Sequence, residues 1–235
     1  MVAEGHEGAP GVRRVLLCPL NLVVALPPEL RKGVQPVEQE LVQYLERRGQ
    51  EVTRLDRDEG RRLWRQAVFE AKSEDALTRA PEIFVGELAK DRDFDVVVMP
   101  SLVLFQTRMD ANNAAWDGVR RAMRMSQDPL VGISREDARF AKGSRYDGVV
   151  GGRPWNGISG EAWVTSLHVL VYARDGGRVF EGRGGIDFLQ EIDFIEPGKS
   201  FRYKLRPNGA LFIDPSVLVE GITQAFLPYW VPPDA

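Results

Sequence analysis

The chain has 235 residues, 43% of them hydrophobic and 28% charged, enough to bury a sizeable core in one large domain or two small ones. A formal charge of -3 excludes the net basic face of a general nucleic-acid binder, and the aromatics are too scattered to build base-stacking platforms. A single cysteine, Cys18, excludes an internal disulfide or thiolate cluster, and only His6 and His168 are available as imidazoles, so no multi-histidine metal site and no cofactor is expected.

Residues 1–11 are polar and read as a flexible segment; residues 12–235 read as one α/β domain. "RVLLCPLNL" has the pattern of a short buried strand, and Pro27 and Pro28 end the run it opens. Arg13 and Arg14 ahead of Val15–Pro28 imitate a signal peptide, but Pro19 and Asn21 interrupt the run and no A-x-A pattern follows. The run also falls short of the roughly 20 residues needed to span a membrane as a helix. Leu17 stands where a lipoprotein box has a small residue, so the stretch is expected to be the first core strand.

"VQPVEQELVQYLERRG" spaces Val34, Val37, Leu41, Val42 and Leu45 as a helix does, with Pro36 in the first turn and Gly49 at the carboxyl end. "QEVTRLD" reads as a second strand, and Asp56 or Asp58 is placed to cap a helix through "RRLWRQAVFEAKS". Asp75–Lys90 is helical in pattern except at Pro81, which is expected to break or restart it. "FDVVVMPSLVLF" is the strongest strand signal in the chain. Strand, helix, strand, helix, strand argues an α/β layer arrangement.

The second half changes character. Residues 108–160 read as a loop-rich insertion, with short possible strands in "DGVRRAMRM" and "YDGVVG". "GEAWVTSLHVLVYARDGGRVFEGRGGIDFLQEI" returns to β patterning, and "DPSVLVEGITQAFLPYW" reads as a closing helix with Asp214 as cap and Pro215 in the first position. The expected fold is therefore α/β (α+β), a two- or three-layer sandwich on a mixed sheet, with an antiparallel hairpin and a closing helix at the carboxyl end.

The glycines between Asp175 and Gly185 raise the question of a phosphate loop. Such a loop needs a following helix whose amino end faces the anion. Here "RVFEG" follows instead, and neither G-x-x-x-x-G-K-[ST] nor G-x-G-x-x-G occurs. Asp175-Gly176-Gly177 between two strand runs is a hairpin turn.

Other polar groups read as structural. His168 and Ser166 share a strand face about 7 Å apart with no third residue to orient the ring. "NGISGE" around Ser159 lacks the core strand of a hydrolase elbow. Asp110, Asp117, Asp128, Glu136, Asp137 and Asp147 lack calcium-loop spacing, and the arginines of "RRAMRM" and "RRLWRQ" read as solvated faces. Trp116, Trp155 and Trp163 bracket the insertion, and Tyr229 and Trp230 sit in the apolar tail; each either anchors a partner or folds back onto the sheet.

"RVLLCPLNL", "LERRGQEVTRLD" and "DFDVVVMPSLVLF" resemble the opening β-α-β of the TolB amino-terminal domain, a fold shared with the curli-secretion channel lipoprotein and with lipoproteins that activate penicillin-binding proteins. "WVTSLHVLVYARDGGRVFEGRGG" is similar to the family's paired strands and "VLVEGITQAFLPYW" to its closing helix. The resemblance implies a bacterial envelope protein, periplasmic or lipoprotein-like, that works by binding other proteins. It carries no catalytic signature, and no site residue is transferred.

The leading expectation is thus a non-enzymatic module that binds protein partners or scaffolds them. It takes no nucleic acid, membrane span or small-molecule ligand, and its compartment is the cell envelope, with the cytoplasm as the alternative. Two other readings stand beside it. One is a hydrolase or transferase at the carboxyl ends of the first-half strands, using Asn21, Ser101 and Gln106. The other is a subunit of a homo-oligomer that self-associates through "FLPYW" and the insertion.

Overall fold

The structure is a computed structural model that describes residues 11–71, 76–125, 149–150, 153–154, 157–194 and 203–229. The first half alternates as its sequence pattern requires. Strand β1 (Arg14–Leu17) leads through a 3₁₀ turn (Pro28–Gly33) into helix α1 (Val34–Glu46). Strand β2 (Glu51–Arg54) leads into helix α2 (Arg57–Ala71), whose amino end is capped by Asp56, which accepts from the Asp58 and Glu59 backbone N–H groups at 3.0 Å. Helix α3 (Ala76–Asp91) then delivers the chain to strand β3 (Val96–Met109).

Pro81 does not break α3. It lies inside the continuous helix, where the buried Ala80, Phe84, Val85 and Leu88 pack against the sheet and outweigh the one backbone bond a proline forfeits.

After β3 come two short antiparallel pairs, β4 (Asn113–Trp116) with β5 (Val119–Ala122) and β6 (Val149–Val150) with β7 (Arg153–Pro154). The long hairpin β8 (Gly160–Ala173) and β9 (Arg178–Phe188) follows, then a second antiparallel pair, β10 (Gln190–Phe194), which begins in the last residues of the β-patterned stretch, with β11 (Tyr203–Pro207). Helix α4 (Pro215–Phe226) closes the fold, with the Asp214 carboxylate accepting from the Ser216 N–H at 3.0 Å.

The main sheet has the order β2-β1-β3-β8-β9, parallel across β2-β1-β3 and antiparallel across β3-β8-β9. Alternation along the strands sends Val15, Leu17, Val96, Val98, Leu167, Val169 and Val171 to one face, under α1 and α4. Leu16, Val97, Met99 and Tyr172 go to the other, under α2 and α3. Helices therefore cover both faces, and the expected α/β fold, in its three-layer form, is what the chain adopts.

Within the insertion, β5 falls in "DGVRRAMRM" and β6 in "YDGVVG", the two stretches with a strand pattern. Residues 110–122 form two successive tight reversals with positive φ at Ala111 (46°) and Asn112 (67°), then at Asp117 (40°) and Gly118 (81°). Paired positive φ values suit two-residue hairpin loops, so "DANNAAWDG" is a β-meander. Its side chains Ala114, Trp116 and Val119 build a third cluster with Met109, Ala162, Val164 and Phe188. Asp128, Glu136, Asp137 and Asp147 lie outside the described residues.

The question of the glycines has two answers. Gly176 (φ +90°) turns the β8–β9 hairpin, its N–H donating to the Ala173 carbonyl at 2.9 Å while the Asp175 carboxylate accepts from the Gly177 N–H at 2.9 Å. Gly182 and Gly184 do something else: they let α4 lie directly on β9. A Cβ on Gly184 would sit 1.8 Å from the Gly221 carbonyl oxygen, and one on Gly182 would sit 2.2 Å from that of Ala225. Gly185, on the other face, is pressed by Trp116 and Val119 of the meander.

Candidate functional site

The connections leaving β1 and β2 depart on opposite sides of the sheet, to α1 and α2, and open a crevice between the two carboxyl ends. In open α/β sheets ligands gather at such places. The crevice holds about 410 Å³ and is lined by Leu17, Cys18, Pro19, Glu38, Arg54, Leu55, Asp56 and Arg57. Burial pushes the Cys18 thiol far up, so it is a neutral part of the floor and no nucleophile. Glu38, on α1, accepts at one oxygen from the Leu20 backbone N–H (3.0 Å) and from Arg57 Nη2 (2.5 Å), and at the other from Arg54 Nη2 (3.4 Å).

The three groups expected at the strand ends do not converge. Asn21 splices β1 to β3: its amide oxygen accepts from the Leu102 N–H and its amide nitrogen donates to the Leu102 carbonyl, both at 3.0 Å. Ser101 is buried and Gln106 exposed, and by strand alternation they point to opposite faces. Glu38, Arg54 and Arg57 belong to no motif; their one trace in the sequence is a basic residue ending a strand and another opening the next helix, a pair that flanks such a crevice.

A second polar group lies across β3, β8 and β9, on the face that carries Ser101, His168 and Ser166. His168 is half-buried with Nε2 3.0 Å from Glu181 Oε1. Burial drives its pKa below the ordinary histidine value, against the opposing pull of Glu181. Ser166 is fully buried and its hydroxyl has no hydrogen-bond partner among the described residues. A neutral sheet histidine pinned by one carboxylate matches the structural reading of this pair. Ser159 likewise clasps a turn, donating to Asp110 at 2.8 Å and accepting from the Ala111 N–H at 3.1 Å.

The aromatic candidates divide. Trp116 is buried, donates from its indole N–H to the Thr165 carbonyl (3.2 Å) and meets the Phe188 ring edge-on at 5.2 Å. Tyr229 is buried against Phe180, with ring centroids 5.0 Å apart. Both are core side chains in this chain. Trp155 and Trp230 lie outside the described residues. Trp163 alone among the described candidates is presented to solvent, 40% exposed.

Its setting is distinctive. Strands β3 and β8 pair over their full lengths, from Val96↔Ala173 to Met109↔Gly160, while β9 pairs with β8 only as far as Val164↔Phe188 and the Leu189 N–H adds one bond to the Trp163 carbonyl, so the end of the β3–β8 pair projects as an arm. One face of that arm is covered by the meander. The other carries the cross-strand pairs Gln106↔Trp163 and Arg108↔Glu161, all four exposed, beside a hollow of about 300 Å³ lined by Gln106, Thr107, Arg108, Gly160 and Glu161.

Among the described residues, no group of three or more His, Cys, Asp or Glu side chains is placed to hold a metal ion, and no helix is long and apolar enough to cross a membrane. Compared with protein families, curated proteins and solved structures, the chain matches no family, no curated protein and no solved structure.

Proposed function

We propose that this protein is a non-enzymatic binding module that recruits a protein partner through the face of the β3–β8 arm that carries the exposed Trp163. The observation that carries the reading is the exposure of Trp163 there, between Gln106, Arg108 and Glu161. A large aromatic flanked by a charged pair of each sign is the composition of an interface hot spot with a polar rim. The likeness of the β-α-β opening, paired strands and closing helix to the TolB amino-terminal domain adds a setting, the bacterial envelope, and a role as an accessory or scaffolding factor.

The test is capture of partners from a bacterial envelope fraction by the full chain and by Trp163→Glu, with both proteins melting at the same temperature. A partner retained by the parent chain and lost from the variant supports the reading. Equal retention by the two, or no stable partner for either, overturns it.

A further inference from the structure

We propose that the crevice between the carboxyl ends of β1 and β2 is a binding site for a small oxyanion, a carboxylate or phosphate group, and that the Glu38 side chain acts as its internal plug. The proposal stands apart from the arm and its partner. Three donors from three separate elements converge on one carboxylate: the Leu20 N–H in the loop after β1, Arg54 at the end of β2 and Arg57 in the first turn of α2. A surface ion pair needs one partner. A backbone amide with two guanidinium groups is the equipment used to grip a carboxylate or phosphate.

The surroundings fit a ligand better than a simple ion pair. The crevice volume of about 410 Å³ lies within the range of small-molecule sites, roughly 300–1,000 Å³. Leu17, Cys18 and Leu55 are buried beneath it and Glu38, Arg54, Asp56 and Arg57 line the rest, so the anionic head carries the recognition. The charge balance explains the plug. Glu38 and Asp56 offset Arg54 and Arg57, and a second anion enters only if the Glu38 carboxylate swings off the donors. Asp56 is bound to the helix cap and stays in place. Glu38, a long side chain on the rim helix and 16% exposed, must break its contacts with Leu20, Arg54 and Arg57 to leave the donors.

The experiment titrates the ¹⁵N-labelled full chain with inorganic phosphate and, separately, with butyrate, following the backbone amide of Leu20. The parent chain is expected to bind both weakly, with Leu20 among the residues that shift. Glu38→Gln, which removes the competing charge, is expected to bind at least tenfold more tightly. Arg57→Met in the Glu38→Gln background is expected to abolish the gain. Glu38→Asp serves as a second variant: its shorter carboxylate is withdrawn from both arginines, and a smaller gain is expected. A tighter response to phosphate than to butyrate assigns the head group as phosphate, and the reverse as carboxylate. If neither Glu38 variant gains affinity for either probe, or if the gain survives Arg57→Met, the proposal is overturned.

Discussion

The two halves of the sheet receive their helices in opposite ways. On the parallel half, α2 and α3 stand on interlocking side chains, with Trp64, Phe84 and Leu88 packed against Leu16, Val97 and Met99. On the antiparallel edge, α4 meets β9 where side chains have been removed: Gly182 and Gly184 on the strand face Gly221 and Ala225 on the helix. One interface is built by filling volume and the other by emptying it. Deleting atoms should injure the first, and adding them the second.

The largest effect is expected from Phe84→Ala. The ring is fully buried and meets Trp64 edge-on at 5.7 Å, so its removal leaves a cavity worth about 4 kcal/mol of stability, read from chemical denaturation. Gly184→Ala should cost about 3 kcal/mol in the same assay, at the upper end of overpacking effects, because the added carbon meets helix backbone and no flexible side chain can yield. A Gly184→Ala protein as stable as its parent would mean that α4 does not rest on the β9 backbone, and the contrast between the halves would fail.

This contrast also explains what could be read from the sequence. The parallel half announces itself because interlocking side chains leave a periodic apolar record: "RVLL", "VVVM" and the α1 stripe predict their elements closely. Glycine leaves no such record. The Asp175–Gly177 turn was legible because a turn needs a local dipeptide, whereas Gly184 answers to Gly221, a residue in another element. Its only trace is the matching spacing of small residues, Gly182 and Gly184 on alternate strand positions against Gly221 and Ala225 one helical turn apart. The meander was legible only at its second strand, β5, which falls in "DGVRRAMRM"; its first reversal, at Ala111-Asn112, uses two residues that carry no glycine signal, and the strand after it, "NAAW", is too short to show a period. The crevice was legible as a place but not as a set of residues. Asn21, Ser101 and Gln106 follow from the strand ends, but which side chain turns inward depends on register and on the loop after β1.

The two halves should also answer pH with opposite signs. At the amino end of β3, burial pushes the Asp95 carboxyl up, but Arg14 and the backbone N–H groups of Arg14 and Arg13 outweigh it and hold the carboxyl at about 2. A depressed carboxylate stabilises the fold above its unfolded value, near 4, and that stability is lost as pH falls from about 4 through about 2. In β9, burial raises the Asp187 carboxyl above its ordinary value despite the Phe188 N–H, Arg124, Arg121 and Asn208. Its contribution is full below the ordinary carboxylate value and declines as pH rises through the raised one. Thermal melts of Asp95→Asn and Asp187→Asn against the parent should therefore diverge. The Asp95→Asn deficit should grow from pH 2 to pH 5, to on the order of 1–2 kcal/mol after solvent screening. The Asp187→Asn difference should move in favour of the variant as pH rises. Parallel slopes for the two variants would contradict the assignment.

The smallest effect sharpens the comparison from the other side. Gly86 lies inside α3 on its exposed face, with open space where a Cβ would be. It therefore carries the entropic cost of glycine in a helix without the close approach that requires glycine at position 184. Gly86→Ala should stabilise the chain by about 0.5–1 kcal/mol, measured as a higher denaturation midpoint at an unchanged slope. The same one-carbon change then raises stability on the half built from side chains and lowers it on the half built from backbone contact. Were Gly86→Ala also destabilising, glycine content alone would account for the Gly184 result and the role assigned to α4 would be lost.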